Sequence, residues 1–178
     1  LMIKKLNRLT EETLIAAEKY CYMATTLTGR SYLSQELYRA WTNLLFCQFH
    51  DALAGTCIKE AYEGDIFPML EEALSIADRI SEVSIQSIAS KLGVKERGSV
   101  IVFNPHAHPL RAPVEVDLIG GADPPKYLRD GDGGLVDCQQ ARGSAVAGGA
   151  SKLVFLADLD ALGYKEFALP HDDKMESG

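Results

Sequence analysis

The chain has 178 residues, 47% of them hydrophobic and 24% charged, with a formal net charge of -7. That suits a folded globular protein with one ordinary domain or two small ones. The acidity disfavours a nucleic-acid or anionic-membrane partner, which the summed field would repel, and no apolar run reaches the ~20 residues that span a bilayer.

The first segment, LMIKKLNRLTEETL, is amphipathic and not signal-like. Met2, Leu6, Leu9, Ala16, Tyr20, Met23 and Leu27 recur at threes and fours and predict an apolar stripe along a first helix. Thr28-Gly29 stops it, and Ser31 to Ser34 offer caps for a second helix whose first turn holds Gln35 and Glu36. Leu37, Trp41, Leu44, Leu45 and Gln48 define the inward face expected of that helix, and Gly55 its end, with Thr56 as a cap for the next one. A third helical segment runs from about Cys57 to Leu92, with Leu70, Ala73, Ala77, Ile80 and Val83 inward. Gly64 and Pro68 interrupt it, which leaves two readings: a restart capped by Asp65, or a kinked continuous helix. The expected result is an antiparallel three-helix bundle over residues 1–95.

Near residues 93–98 the period changes to two. SVIVFNP is a short β-branched run, and PVEVDL alternates Val114, Val116 and Leu118 with Glu115 and Asp117. GGADPP and DGDGG are turns, the second joining KYLR to LVDCQQA as a hairpin, and KLVFLADL and YKEFAL complete the set. The fold class predicted is therefore α+β, with a partial antiparallel β-sandwich of roughly five strands over residues 96–178. PHDDKMESG supplies no closing strand, so the β region is expected to be incomplete.

Four cysteines (Cys21, Cys47, Cys57 and Cys138) form no CxxC pair, and three lie in helical, apolar surroundings. Reduced thiols in a cytoplasmic protein are the expectation.

The chemistry concentrates in LLFCQFHDALAGT. Leu44, Leu45, Phe46, Cys47 and Phe49 put apolar groups on almost every side of one helix end. A helix apolar all round meets partners all round, so this end should face something beyond its own bundle, with Phe46 and Phe49 exposed in the chain alone. His50 and Asp51 stand there together. A helix-end histidine favoured by the dipole is the bland reading of His50, whereas a carboxylate at a helix C-terminus works against that dipole. Cys47, His50 and Cys57 lack a fourth partner for a self-contained zinc site. His106 and His108 read as a solvated turn. DGDGG lacks the rest of a calcium-loop pattern and reads as a hairpin loop.

The stretch WTNLLFCQFHDALAGTCIKEAYEGD closely resembles a segment of glycoside hydrolase family 38 α-mannosidases. The matching residues are Trp41, Leu44, Leu45, Gln48, Phe49, His50, Asp51, Leu53, Gly55, Thr56, Ile58, Tyr62 and, displaced by Gly64, Asp65. IKKLNRLTEETLIAAEKY is similar to the first helix of the family's middle domain, and VIVFNPHAHPLRAPVEVDL to its F-N-P entry into a C-terminal β region. The resemblance implies a retaining α-mannosidase whose Zn2+ is held by two histidines and two aspartates, one of them the nucleophile. It implies His50 as the single metal ligand on this chain and Asp51 as a contact to sugar hydroxyls. The catalytic carboxylates would belong to an N-terminal barrel, so no catalytic residue is expected here. The chain alone is expected to be inactive, to bind Zn2+ weakly or not at all, and to self-associate through the exposed helix end. A non-catalytic helical and β interaction module is the alternative.

Overall fold

The computed structural model describes residues 2–93, 98–118, 125–142 and 151–169. They divide into two units, Leu1–Gly93 and Val94–Gly178. The first is helical and the second is antiparallel β, so the fold is α+β in the order the change of period predicts.

Three long helices carry the first unit: α1 (Met2–Thr28), α2 (Ser34–Cys47) and α5 (Phe67–Leu92). Between the last two lie short helices α3 (His50–Ala54) and α4 (Lys59–Ala61) and a π-turn at Tyr62–Ile66. The plain three-helix bundle is thus elaborated at one end. Buried positions alternate by threes and fours: Ile3, Asn7, Thr10, Leu14, Ala17, Cys21 and Ala24 on α1, and Leu37, Ala40, Leu44 and Cys47 on α2. Leu70, Ala73, Ala77, Ile80 and Ser84 do the same on α5. This is the 3.5-residue repeat of a knobs-into-holes seam, and its alanines let the backbones approach closely. Burying each of Leu14, Leu44, Leu70 and Ile80 completely contributes about 1.5–3 kcal/mol. Glu36 of α2 lies 4.0 Å from Arg79 of α5, while Asn43 donates to Glu72 at 2.8 Å and Arg39 pairs with the same carboxylate. Rising numbers on α2 meet falling numbers on α5, so the two helices run antiparallel.

The stripe expected on α1 is displaced. Met2, Leu9 and Leu27 are exposed because two polar residues, Asn7 and Thr10, occupy seam positions. The Thr10 hydroxyl satisfies itself by donating to the Leu6 carbonyl at 2.8 Å. On α2, Leu45 is exposed and not inward, and Gln48 falls just beyond the helix, half-buried. No serine caps α2; Leu33 holds that position without a side-chain bond. Neither Thr56 nor Asp65 caps a later helix, since Ile58 and Ile66 stand at those starts.

The interruption at Gly64 and Pro68 resolves as a widened turn within a continuous path. Phe67 donates its N–H to the Tyr62 carbonyl, five residues back. Proline lacks an N–H, and its ring would press on the carbonyl four residues earlier, that of Gly64; the extra residue of a π-turn relieves both problems.

Among its described residues the β unit has six strands and not five: β1 (Val100–Phe103), β2 (Leu110–Leu118), β3 (Tyr127–Asp130), β4 (Leu135–Arg142), β5 (Ser151–Leu159) and β6 (Tyr164–Ala168). They form one sheet in the order β1-β6-β3-β4-β5-β2, every neighbouring pair antiparallel. The partial sandwich is therefore a single sheet that curls on itself. Strand β4 makes the corner. Its residues Leu135 to Asp137 pair with β3, and Cys138 to Arg142 pair with β5, as strands do where sheets turn. Leu128, Leu153, Phe155, Ala157, Leu159 and Phe167 fill the concave side. DGDGG is the expected hairpin loop: Gly133 donates to the Asp130 carbonyl at 2.9 Å and takes a φ of 86°, open to glycine. Most of GGADPP lies outside the described residues.

Candidate functional site

The greasy helix does not run on to Gly55. Gln48 and Phe49 donate to Leu45 and Phe46, both at 3.2 Å, tightening the last turn of α2. Phe49 then takes an extended conformation (φ -54°, ψ 144°) and α3 restarts at His50. Asp51 therefore sits in the first turn of a new helix, and the dipole penalty expected of it does not arise.

The break turns both polar side chains outward. His50 is 77% and Asp51 54% exposed, with His50 Nε2 3.4 Å from Asp51 Oδ2. The Phe49 ring lies against the imidazole, centroids 4.1 Å apart. Phe46 is 62% and Phe49 57% exposed, as the all-round apolar pattern predicts, and Leu45, Tyr38 and Ile58 are exposed too. The structure thus presents an imidazole and a carboxylate beside an uncovered apolar surface.

A helix of five residues is too short to hold itself, so its end must be fixed from outside. Gly55 enters the left-handed region at φ 91° and donates to the Ala52 carbonyl at 3.3 Å, while Thr56 N–H reaches back to the Asp51 carbonyl at 3.1 Å. These two bonds are a Schellman stop, which needs glycine at the left-handed residue. The Thr56 hydroxyl lies 3.2 Å from the Asp51 carbonyl and 3.3 Å from its carboxylate Oδ1. Tyr62, first residue of the π-turn, donates its hydroxyl to Ala52 O at 2.7 Å and stands 3.3 Å from Asp51 O. A pocket of about 440 Å³ adjoins this turn, lined by Ile3, Gly55, Tyr62 and Phe67 among others. Sequence reasoning took Thr56 for a cap and gave Tyr62 no structural task. The legible signal was a glycine-threonine pair four and five residues after the aspartate, the spacing of a Schellman stop.

The other candidates stay apart from this site. The Cys47 thiol is buried, donates to Ile66 O at 3.6 Å, and is pushed up by desolvation to about 11, which disfavours the thiolate a metal needs. His106 and His108 are exposed with ring centroids 5.3 Å apart. Their loop is organised by buried Asn104, whose amide donates to the His108 and Asp160 carbonyls, both at 2.9 Å. Among the described residues no group of three or more His, Cys, Asp or Glu is placed to hold a metal ion. His50, an exposed imidazole with one neighbouring carboxylate, does not by itself make a self-contained metal site. Among the described residues no helix is long and apolar enough to cross a membrane.

Residues 1–88 match the family model of the alpha mannosidase middle domain. Over 90 residues the chain is 33% identical to the alpha-mannosidase of Saccharomyces cerevisiae, covering 49% of this chain and 8% of that protein. Over 92 residues it is 36% identical to alpha-mannosidase G of Dictyostelium discoideum, covering 50% of this chain and 8% of that one. The crystal structure of an alpha-mannosidase from Enterococcus faecalis V583 superposes with a TM-score of 0.66 at 18% identity, covering 94% of this chain and 22% of that one. The fold of both units is thus found within a much longer chain.

Proposed function

We propose that the chain, whose residues 1–88 match the family model of the alpha mannosidase middle domain, serves the hydrolysis of α-mannosides as part of a retaining, zinc-dependent enzyme of glycoside hydrolase family 38. The observation that carries this is the His50–Asp51 pair, turned to solvent beside exposed Phe46 and Phe49. Retaining hydrolysis requires two carboxyl groups flanking the bond, about 5–5.5 Å apart. Asp51 is the one carboxylate of the pair, so acid and nucleophile are assigned to a catalytic domain docked over the apolar helix end. On this reading His50 is a ligand to Zn2+, the other ligands coming from that domain. When bound, the metal supplies Lewis-acid stabilisation at the sugar's hydroxyls. Asp51 accepts hydrogen bonds from two sugar hydroxyls and so orients the ring. Phe46 and Phe49 exclude water from the joint.

The 178-residue chain by itself is then inactive toward α-mannosides and weak in zinc. All four cysteines are free thiols, which supports a reducing, cytoplasmic location. Without its catalytic partner the apolar helix end offers a face for a second copy of the chain.

The test is the intact gene product carrying residues 1–178, assayed on p-nitrophenyl α-mannoside with metal analysis. His50→Ala is expected to lose zinc and most turnover while its helices stay folded. Asp51→Asn is expected to keep zinc and raise KM. Full zinc occupancy and normal turnover in His50→Ala would overturn the ligand assignment. An intact product that binds no mannoside and turns none over would point instead to a non-catalytic interaction module.

A further inference from the structure

Once the break at Phe49 has turned Asp51 outward, it is held by groups to which neither the motif nor the comparisons assign a role. The Asp51 carbonyl accepts from Thr56 N–H at 3.1 Å and from the Thr56 hydroxyl at 3.2 Å, and the Tyr62 hydroxyl stands 3.3 Å from it. The Tyr62 hydroxyl makes its closer bond, at 2.7 Å, to the next carbonyl, Ala52. Thr56 has one hydroxyl hydrogen, shared between the Asp51 carbonyl and Oδ1. That arrangement ties one carboxylate oxygen toward the backbone, leaving Oδ2 beside His50 Nε2 at 3.4 Å. The Tyr62 ring is itself set by the π-turn and packs 5.9 Å from the Phe67 ring.

We infer that Thr56 and Tyr62 are positioning residues for Asp51: Thr56 fixes its carboxylate rotamer, and Tyr62 fixes the backbone of the turn that carries it. The role in sugar binding rests on the α-mannosidase reading; the positioning itself does not. Each bond is modest in water, but the Thr56 and Tyr62 bonds act together on the Asp51–Ala52 turn, and a covering domain would strengthen them by excluding solvent. Tyr62 reaches across from the π-turn, so a widened turn that first relieves Pro68 also delivers a hydroxyl to the site. π-turns inserted in α-helices are often found at such places.

Two measurements separate positioning from mere stability. In the 178-residue chain, scalar couplings report the χ1 rotamer of Asp51 directly. Wild type is expected to show one rotamer, Thr56→Val an averaged coupling, and Thr56→Ser the wild-type value, with all three unfolding at similar urea concentrations. Tyr62→Phe is expected to speed amide exchange of Gly55 and Thr56 roughly tenfold, the loss of about one hydrogen bond. In the intact gene product, Thr56→Val should raise KM for p-nitrophenyl α-mannoside roughly tenfold with zinc retained and kcat little changed, and Thr56→Ser should rescue it. A single unchanged Asp51 rotamer in Thr56→Val overturns the proposal whatever the kinetics show. If Asp51→Asn leaves KM untouched, it is the sugar-binding reading that fails, and the rotamer measurement still decides positioning.

Discussion

Phe155 of β5 and Phe167 of β6 meet ring to ring, centroids 4.8 Å apart and tilted by 56°, although β3 and β4 lie between their strands in the sheet. Only curling at β4 brings them together, so this pair reads out closure of the β unit. Phe167→Ala should cost about 3–5 kcal/mol, the usual range for emptying a buried aromatic site. Hydrogen exchange of the β5 amides checks it: they should lose protection while those of α5 keep theirs. Unchanged protection across β5 would mean the concave side is not the unit's core.

The helical unit distinguishes a packed leucine from exposed phenylalanines one turn away. Leu44 is fully buried and Phe46 is 62% exposed. Leu44→Ala should destabilise by about 2–5 kcal/mol, and Phe46→Ser combined with Phe49→Ser by less than about 1 kcal/mol. Trp41, the single tryptophan, reports unfolding of this unit in urea. Sedimentation velocity should show the double variant less self-associated than wild type. A wild-type coefficient independent of concentration would remove self-association from the account.

The hairpin loop carries a pH dependence whose sign is set by Asp130. Burial works to raise its pKa. The Lys165 ammonium at 3.1 Å and the N–H groups of Gly134 and Asp132 outweigh that and hold it below the ordinary carboxylate value. A lowered folded pKa contributes stability above the unfolded value of about 3.9, lost as pH falls through the folded one. Lys165 is raised, first by its bond to Asp132 and then by Asp130. Its contribution is full below about 10.4 and is lost as pH climbs through the folded value. Urea unfolding of the β unit should therefore show Asp130→Ala destabilised by about 1–2 kcal/mol at pH 7, the gap closing below pH ~4. A gap constant down to pH ~2 would sink the explanation.

Thiol reactivity should divide the cysteines by burial. Cys21 and Cys47 are buried, and Cys57 and Cys138 half-buried. At pH ~8, iodoacetamide should label Cys57 first and leave Cys21 and Cys47 untouched until denaturant is added. Cys138 is held up mainly by burial and should react more slowly than Cys57. Early labelling of Cys47 would contradict both its burial and its raised pKa.

Where the sequence was readable, it was readable locally. The hairpin over DGDGG needs only neighbours, because Asp130 organises its own loop through Asp132 and Gly134. The exposed pair Phe46 and Phe49 is the result of too many apolar positions on one helix end. The seam of α1 was displaced because Asn7 and Thr10 sit where hydropathy places no core residue, and a threonine that bonds its own backbone carries no such mark. The curl of the sheet was invisible for a different reason: β4 changes partner between Asp137 and Cys138, and pairing between distant segments leaves no local periodicity. His50 and Asp51 were visible as an anomaly, but the break at Phe49 that turns them outward depends on two carbonyls behind it.

Among the described residues the curled sheet has two outer strands, β1 and β2. The first is only four residues long. The second is nine, long enough to template an unwanted neighbour, yet Pro113 stands within it without an N–H to offer. Arg111, Glu115 and Asp117 along the same strand are exposed, and charges there discourage stacking of another chain. Both outer strands among the described residues thus carry features that discourage sticking edge to edge. Among the described residues the aromatic end of α2 carries no such guard, so added charge there is expected to improve solubility more than added charge on the outer strands.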